Sequence, residues 1–217
     1  MELQILKPRK ALNKAFLKVK PNRTEIESFK TNLIQLLDRT NDTESEEFHK
    51  NLVIDFLKKT YYDPNHFINT KGRNDLVIHN EDKAKSSVGV ILEAKKPTNK
   101  SEMVTTEKLN TKAFQELVLY YLRERITHQN LEVKHLVITN INEWFIFDAR
   151  EIDKLFYQNQ TFLENYKNWH NNITVNNNVQ MAYQIIGNHI NLSNDKIEAV
   201  HFNINAINTN NDDEIIK

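Results

Sequence analysis

The residues best equipped for chemistry are Asp75, Glu93 and Lys95. Asp75 opens a β-rich run, Asp75-Leu-Val-Ile-His79, and Glu93 and Lys95 flank Ala94 at the end of the next apolar run. Residues two apart on a strand share a face, so Glu93 and Lys95 point one way and Ala94 the other. If the two strands pair as a hairpin, Asp75 approaches Glu93. Two close carboxylates repel unless a cation neutralises them. Mg²⁺ is the hard ion that one or two carboxylates hold while waters complete its octahedron. Lys95 would then stand beside a metal-bound water, where it could orient or help deprotonate a nucleophile, with a substrate phosphate bridging metal and lysine. That is the minimum equipment for metal-assisted phosphodiester hydrolysis. A surface charge cluster at a strand end is the alternative reading of the same residues.

Glu-x-Lys occurs three times, at 81–83, 93–95 and 132–134. The 93–95 copy follows an apolar run and has an acid on the strand before it; the other two do not combine these features. Elements must position it. Thr24-x-x-Glu27 and Thr43-x-x-Glu46 are capping boxes that open helices, the second running to about Thr60. Short strands are expected at 66–70 and 75–79, with Lys71–Asn74 a turn, and a buried central strand over 88–95. A long helix is expected over about 105–127, strands over 131–139 and 143–148, and a helix capped by Asp148 to about Tyr157. This order predicts an α/β fold, a mixed central sheet flanked by helices. Trp144, Phe145 and Phe147 are expected in the sheet core, and His79 is the histidine nearest the chemistry.

Composition narrows the classes. The chain has 217 residues with 29 Lys+Arg against 29 Asp+Glu, which excludes a bulk polycation. With no cysteine, thiol catalysis, disulfide scaffolds and cysteine zinc sites are excluded. The longest apolar stretch, Leu117–Leu122, is far short of a membrane span, and Met1–Pro8 lacks a signal peptide's apolar region. A cytoplasmic protein without membrane association is therefore expected. Charge segregates: residues 1–23 hold seven Lys/Arg against Glu2, a basic arm that either meets phosphates or is a solvated terminus. Residues 24–160 form the expected main domain. Residues 161–217 form an asparagine-rich C-terminal extension, with thirteen Asn after position 170, expected to be irregular or weakly packed.

Gly72-Arg-Asn-Asp75-Leu-Val-Ile followed by Val88-Gly-Val-Ile-Leu-Glu-Ala-Lys-Lys-Pro97 resembles the PD-(D/E)xK nuclease superfamily. From Leu6 to about Asp148 the chain resembles the N-terminal nuclease region of type IIG enzymes, which combine restriction endonuclease, methyltransferase and target recognition. The further matches are Leu6-Lys-Pro-Arg-Lys-Ala-Leu-Asn-Lys-Ala-Phe16 and Asn110-Thr-Lys-Ala-Phe-Gln-Glu-Leu-Val-Leu-Tyr-Tyr-Leu-Arg-Glu-Arg125. The resemblance implies a restriction-endonuclease-like sheet and a Mg²⁺-dependent endonuclease acting on double-stranded DNA, with Mn²⁺ able to substitute. It implies that Asp75, Glu93 and the Ala94 carbonyl hold metal and that Lys95 is the catalytic lysine. Glu47, or Glu46 beside it, would be an accessory acid from the preceding helix, and Gln115 an accessory residue from the following one. Glu47 also reads as a first-turn acid favoured by the helix dipole.

Arg73, Lys96, Lys100 and Lys112 are candidate DNA contacts, or else ordinary solvated surface. No methyltransferase motif is present: the prolines at 8, 21, 64 and 97 are never adjacent, and glycines occur only at 72, 89 and 187. The expected partners are double-stranded DNA, a methyltransferase or specificity region outside this chain, and a second copy if both strands are cut. The alternative is an inactive nuclease-fold subunit or fragment that binds DNA or assists assembly. A third option is action on DNA ends in repair or recombination.

Overall fold

The structure is a computed structural model that describes residues 1–71, 74–171, 179–207 and 209; the side chains of Lys71, Asn74 and Asp75 lie outside the described part. Seven strands form one mixed sheet: β1 (Glu2–Leu6), β2 (Ile68–Lys71), β3 (Asn74–His79), β4 (Val88–Ala94), β5 (His135–Thr139), β6 (Glu143–Asp148) and β7 (Lys196–Asn203). Their spatial order is β1-β7-β6-β5-β4-β3-β2. β2, β3 and β4 are an antiparallel meander. β5 pairs parallel to β4, which requires a crossover, and the helix α4 (Lys112–Leu122) lies within it. The α/β fold with a mixed sheet between helices is thus as expected.

Strand alternation divides the core. Ile91, Leu136, Ile138, Phe145, Phe147 and Ile197 face α4, α5 (Ala149–Ile152), α6 (Gln160–Asn171) and α7 (Val179–Leu192). Leu76, Ile78, Leu92, Ala94, Val137 and Trp144 face α2 (Arg23–Arg39) and α3 (Glu46–Leu57). β4 is enclosed on both faces, which is why it reads as a continuous apolar run rather than an alternating one. Trp144, Phe145 and Phe147 are all buried, and Trp144 stacks on Phe202. Among the described residues no helix is long and apolar enough to cross a membrane.

Several boundaries differ from expectation. α2 is capped by Asn22, whose side chain accepts from the Glu25 N–H at 3.0 Å while Glu25 accepts from the Asn22 N–H at 2.8 Å. Thr24 falls inside the first turn, because asparagine caps as well as threonine and stands two residues earlier. Ser45, not Thr43, caps α3, accepting from the Phe48 N–H at 3.1 Å. α4 starts at Lys112 rather than near 105, because Met103, Val104 and Leu109 are buried from a non-helical loop closed by a Thr105–Lys108 bridge. The Gly72–Arg73 part of the expected turn lies outside the described residues.

The C-terminal expectation is corrected. Beyond residue 178 the chain forms α7 and then β7, which sits inside the sheet between β1 and β6. Ala182, Ile186, Ile190, Ile197 and Ala199 are buried, and this apolar set outweighs the asparagines around it. The first residues of the basic arm are also a strand, β1, parallel to β7.

Candidate active site

The β3–β4 register, Leu76 opposite Leu92, brings the Asp75 backbone opposite Glu93 when continued by one residue. Glu93 and Lys95 stand at the C-terminal end of β4 on the face toward α4. The Lys95 N–H donates to the Thr139 carbonyl at 2.8 Å, extending the β4–β5 ladder by one residue and fixing the direction of the lysine.

Lys95 is nearly enclosed, 4% exposed, and Glu93 is 1% exposed. The Lys95 Nζ lies 2.6 Å from Glu93 Oε1 and 2.6 Å from Glu116 Oε2. Glu102 Oε2 and Glu46 Oε1 follow at 3.7 and 3.9 Å. Four carboxylates therefore surround one ammonium, and they come from β4, α4, the loop before α4 and the first residue of α3. Burial alone would lower the Lys95 pKa, but the charges and hydrogen bonds of Glu93 and Glu116 outweigh it and hold the group above lysine's ordinary range. Lys95 is thus a permanent cation at neutral pH.

A second tier fixes the acids. Lys112 pairs with Glu102 at 2.9 Å, and despite partial burial its bonds, with those of Asn99, hold the Glu102 carboxyl below the usual range. The Tyr183 hydroxyl, on α7, donates to Glu116 Oε1 at 3.3 Å. Burial and the Glu116 charge raise that phenol's pKa, so it stays a donor. Glu46 Oε2 also accepts from the Lys96 N–H at 3.3 Å, tying the start of α3 to the chain just beyond β4.

The expected residues separate into groups. Glu93 and Lys95 are brought together; the Asp75 backbone precedes the Leu76–Leu92 pair, and its side chain lies outside the described residues. Of the two acids on α3, Glu46 faces Lys95, whereas Glu47 is exposed and pairs with Lys50 at 3.0 Å. Gln115 bonds Asn110 at 2.8 Å and packs against Gly187, so α4 presents Glu116 rather than Gln115 to the lysine. Lys96 is half-buried, Lys100 exposed, and Lys112 exposed but engaged by Glu102. Arg73 lies outside the described residues. Buried His79 contacts the Ser86 carbonyl at 2.7 Å and Asn69 Oδ1 at 2.9 Å, anchoring the β3–β4 loop.

Glu102, Glu116 and Tyr183 are beyond the reach of sequence reasoning, although Glu116 had a signal: it is the sole acid within α4, in an otherwise largely apolar run. Four hard oxygen donor groups around two lysines suit a hard divalent cation better than a soft one. Among the described residues no group of three acidic or imidazole side chains is spaced to hold a metal ion.

A groove of about 570 Å³ between α6 and α7, lined by residues such as Phe162, Trp169 and Met181, has His189 as the one titratable side chain among its described lining. The His189 Nε2 is already within 3.0 Å of the Leu155 carbonyl. The carboxylate–lysine cluster is therefore the stronger candidate for chemistry. No curated protein and no solved structure matches the chain. The family model that does match spans residues 6–217, so the chain belongs to the family described as a domain of unknown function, DUF7149.

Proposed function

We propose that this chain is a Mg²⁺-dependent DNA endonuclease module of a restriction–modification system, hydrolysing phosphodiester bonds. The observation that carries the reading is Lys95 closed between Glu93 and Glu116 at the end of a central strand; Asp75, one residue before the Leu76–Leu92 pair, would join them from the neighbouring strand. The antiparallel trio, the crossover through α4 and the parallel β5 are compatible with a restriction-endonuclease-like sheet. Asp75, Glu93 and the Ala94 carbonyl would hold the ion, with Mn²⁺ able to replace it. Bound Mg²⁺ would supply Lewis acidity and a lowered pKa for a coordinated water.

Lys95 stands beside that water, where it would orient it or help to deprotonate it and offset the charge that develops on the phosphate. Glu116 and Glu46 position Lys95, and Tyr183 positions Glu116. Double-stranded DNA is the substrate, a methyltransferase or specificity region is the expected partner, and a second copy would complete a two-strand cut.

The test is nicking of supercoiled plasmid by wild type, Lys95→Ala and Asp75→Asn, with Mn²⁺ and then Mg²⁺. Nicking by wild type alone supports the reading. Full activity of either variant overturns it. A second reading, an inactive nuclease-fold subunit, is favoured by the closed pairing of Lys95 with two carboxylates at 2.6 Å. Folded wild type that takes up neither ion in calorimetry would select it.

A further inference from the structure

The segment from Lys7 to Arg23 contains seven cations and no acid. It has local order, a four-residue helical turn α1 (Pro8–Ala11) and a 3₁₀ turn at Phe16–Lys18, yet neither turn buries a residue. Residues 9 to 22 are all exposed. Among the described residues Lys7, Arg9, Lys10, Lys14, Lys18 and Lys20 enter no ion pair, whereas Arg23 pairs with Glu27 at 2.5 Å.

The topology fixes where this segment lies. β1 is parallel to β7, β7 is antiparallel to β6, β6 is antiparallel to β5, and β5 is parallel to β4. The C-terminal end of β1 is therefore at the same rim of the sheet as the C-terminal end of β4, where Glu93 and Lys95 stand. The arm leaves β1 at that rim. It ends at α2, which packs on α3, and the first residue of α3, Glu46, reaches Lys95. β1 and β4 are four strand spacings apart, roughly 19 Å at ~4.8 Å each. A duplex carries one phosphate charge per ~1.7 Å of axis, so about eleven phosphates would pass along that distance.

We infer that Lys7–Lys20 is a docking surface for the phosphates of duplex DNA, laid along the rim that holds Glu93 and Lys95 so that bound DNA is delivered to the carboxylate–lysine cluster. The inference deepens the endonuclease reading and rests on it for the choice of duplex DNA among polyanions. A protein partner fits less well, because interfaces are depleted in lysine and five of the seven cations are lysine. A membrane surface fits less well, because an interfacial anchor needs a sustained amphipathic helix and this segment has turns of four and three residues. Phe16 and Val19, 68% and 69% exposed, give the arm apolar side chains to set against sugar faces or a groove wall.

The test uses the full chain in EDTA, so that hydrolysis does not intervene. Anisotropy of a labelled duplex is followed between about 50 and 200 mM salt for wild type and for the variant Lys7→Gln/Lys10→Gln/Lys14→Gln/Lys18→Gln. These four side chains are exposed, so the variant is expected to keep its melting temperature. The slope of log K against log salt should become shallower by about 0.9 for each lysine that meets a phosphate, up to about 3.6. Affinity at the low-salt end should fall at least tenfold.

An unchanged slope overturns the inference. So does wild type that ignores the duplex but binds anionic phosphatidylserine vesicles. A parallel plasmid assay in Mn²⁺ without EDTA separates the two readings: lysine-dependent duplex binding without nicking by wild type leaves the inference standing and removes the endonuclease reading, and nicking that is equal in wild type and the four-lysine variant at the higher salt does the reverse.

Discussion

Replacing Lys95 by methionine removes one charge and little volume. Glu93 and Glu116 then face the same space, each having lost a partner at 2.6 Å, with Glu93 only 1% exposed. Breaking a buried ion pair by deleting one member costs about 3–5 kcal/mol, because the remaining charge stays out of water. At about 2–4 °C per kcal/mol for a chain of this size, the melting temperature should drop by roughly 6–20 °C. The pH dependence separates this cause from simple loss of packing. In wild type the raised Lys95 pKa contributes stability that is fully present below lysine's ordinary value and is lost only as pH rises through the raised one. The variant lacks that contribution, so its deficit should be full at neutral pH and shrink only at strongly alkaline pH, where wild type loses it too. Urea unfolding followed by fluorescence of Trp144 and Trp169, both buried, measures each. A cost under about 1 kcal/mol at neutral pH would refute a buried, charge-determined cluster.

Three further outcomes follow from the same geometry. Glu46→Gln should lower plasmid nicking at least tenfold while Glu47→Gln leaves it unchanged, since Glu46 contacts Lys95 and Lys96 whereas Glu47 is exposed and pairs with Lys50. Equal behaviour of the two variants would remove α3 from the site. Tyr183→Phe should cost about 0.5–1.5 kcal/mol for one lost hydrogen bond, and Glu116→Gln more, because it replaces a charge that faces a buried ammonium; chemical denaturation gives both, and the reverse ranking would contradict the cluster. Ile197→Ala should cost about 2–5 kcal/mol, as a core residue of an inner strand does, and a near-neutral result in thermal unfolding would mean that β7 is not part of the sheet.

What the sequence disclosed and what it withheld divide along the range of the interactions. β4, β5 and β6 were legible because strands buried on both faces announce themselves as apolar runs, and Glu93-Ala-Lys95 because its geometry is set by two residues of one strand. β1 and β7 were not. Each is about half polar, and their register pairs Glu2 with Lys196, a contact that no local pattern encodes. Composition worked against β7 as well, since asparagines surround Ile197 and Ala199 while the alternation of these two with Lys196 and Glu198 carries the strand.

The site repeats the same division. Whether α4 offers Gln115 or Glu116 to the lysine depends on the rotation of the helix about its axis, and that is fixed from outside the helix. Ala113, Phe114, Leu117 and Val118 fill the core beneath it, and Gly187 of α7 leaves room for Gln115, whose Nε2 would lie only 2.9 Å from a β-carbon added there. With Gln115 committed to α7, the next residue is the one turned to Lys95. Tyr183, four residues before that glycine on the same helix, then reaches the far oxygen of Glu116. The asparagine-rich end of the chain is thereby connected to the cluster through α7. A substitution on α7 that shifts it against α4 should alter the pairing of Lys95 without touching any residue of the Glu-x-Lys strand.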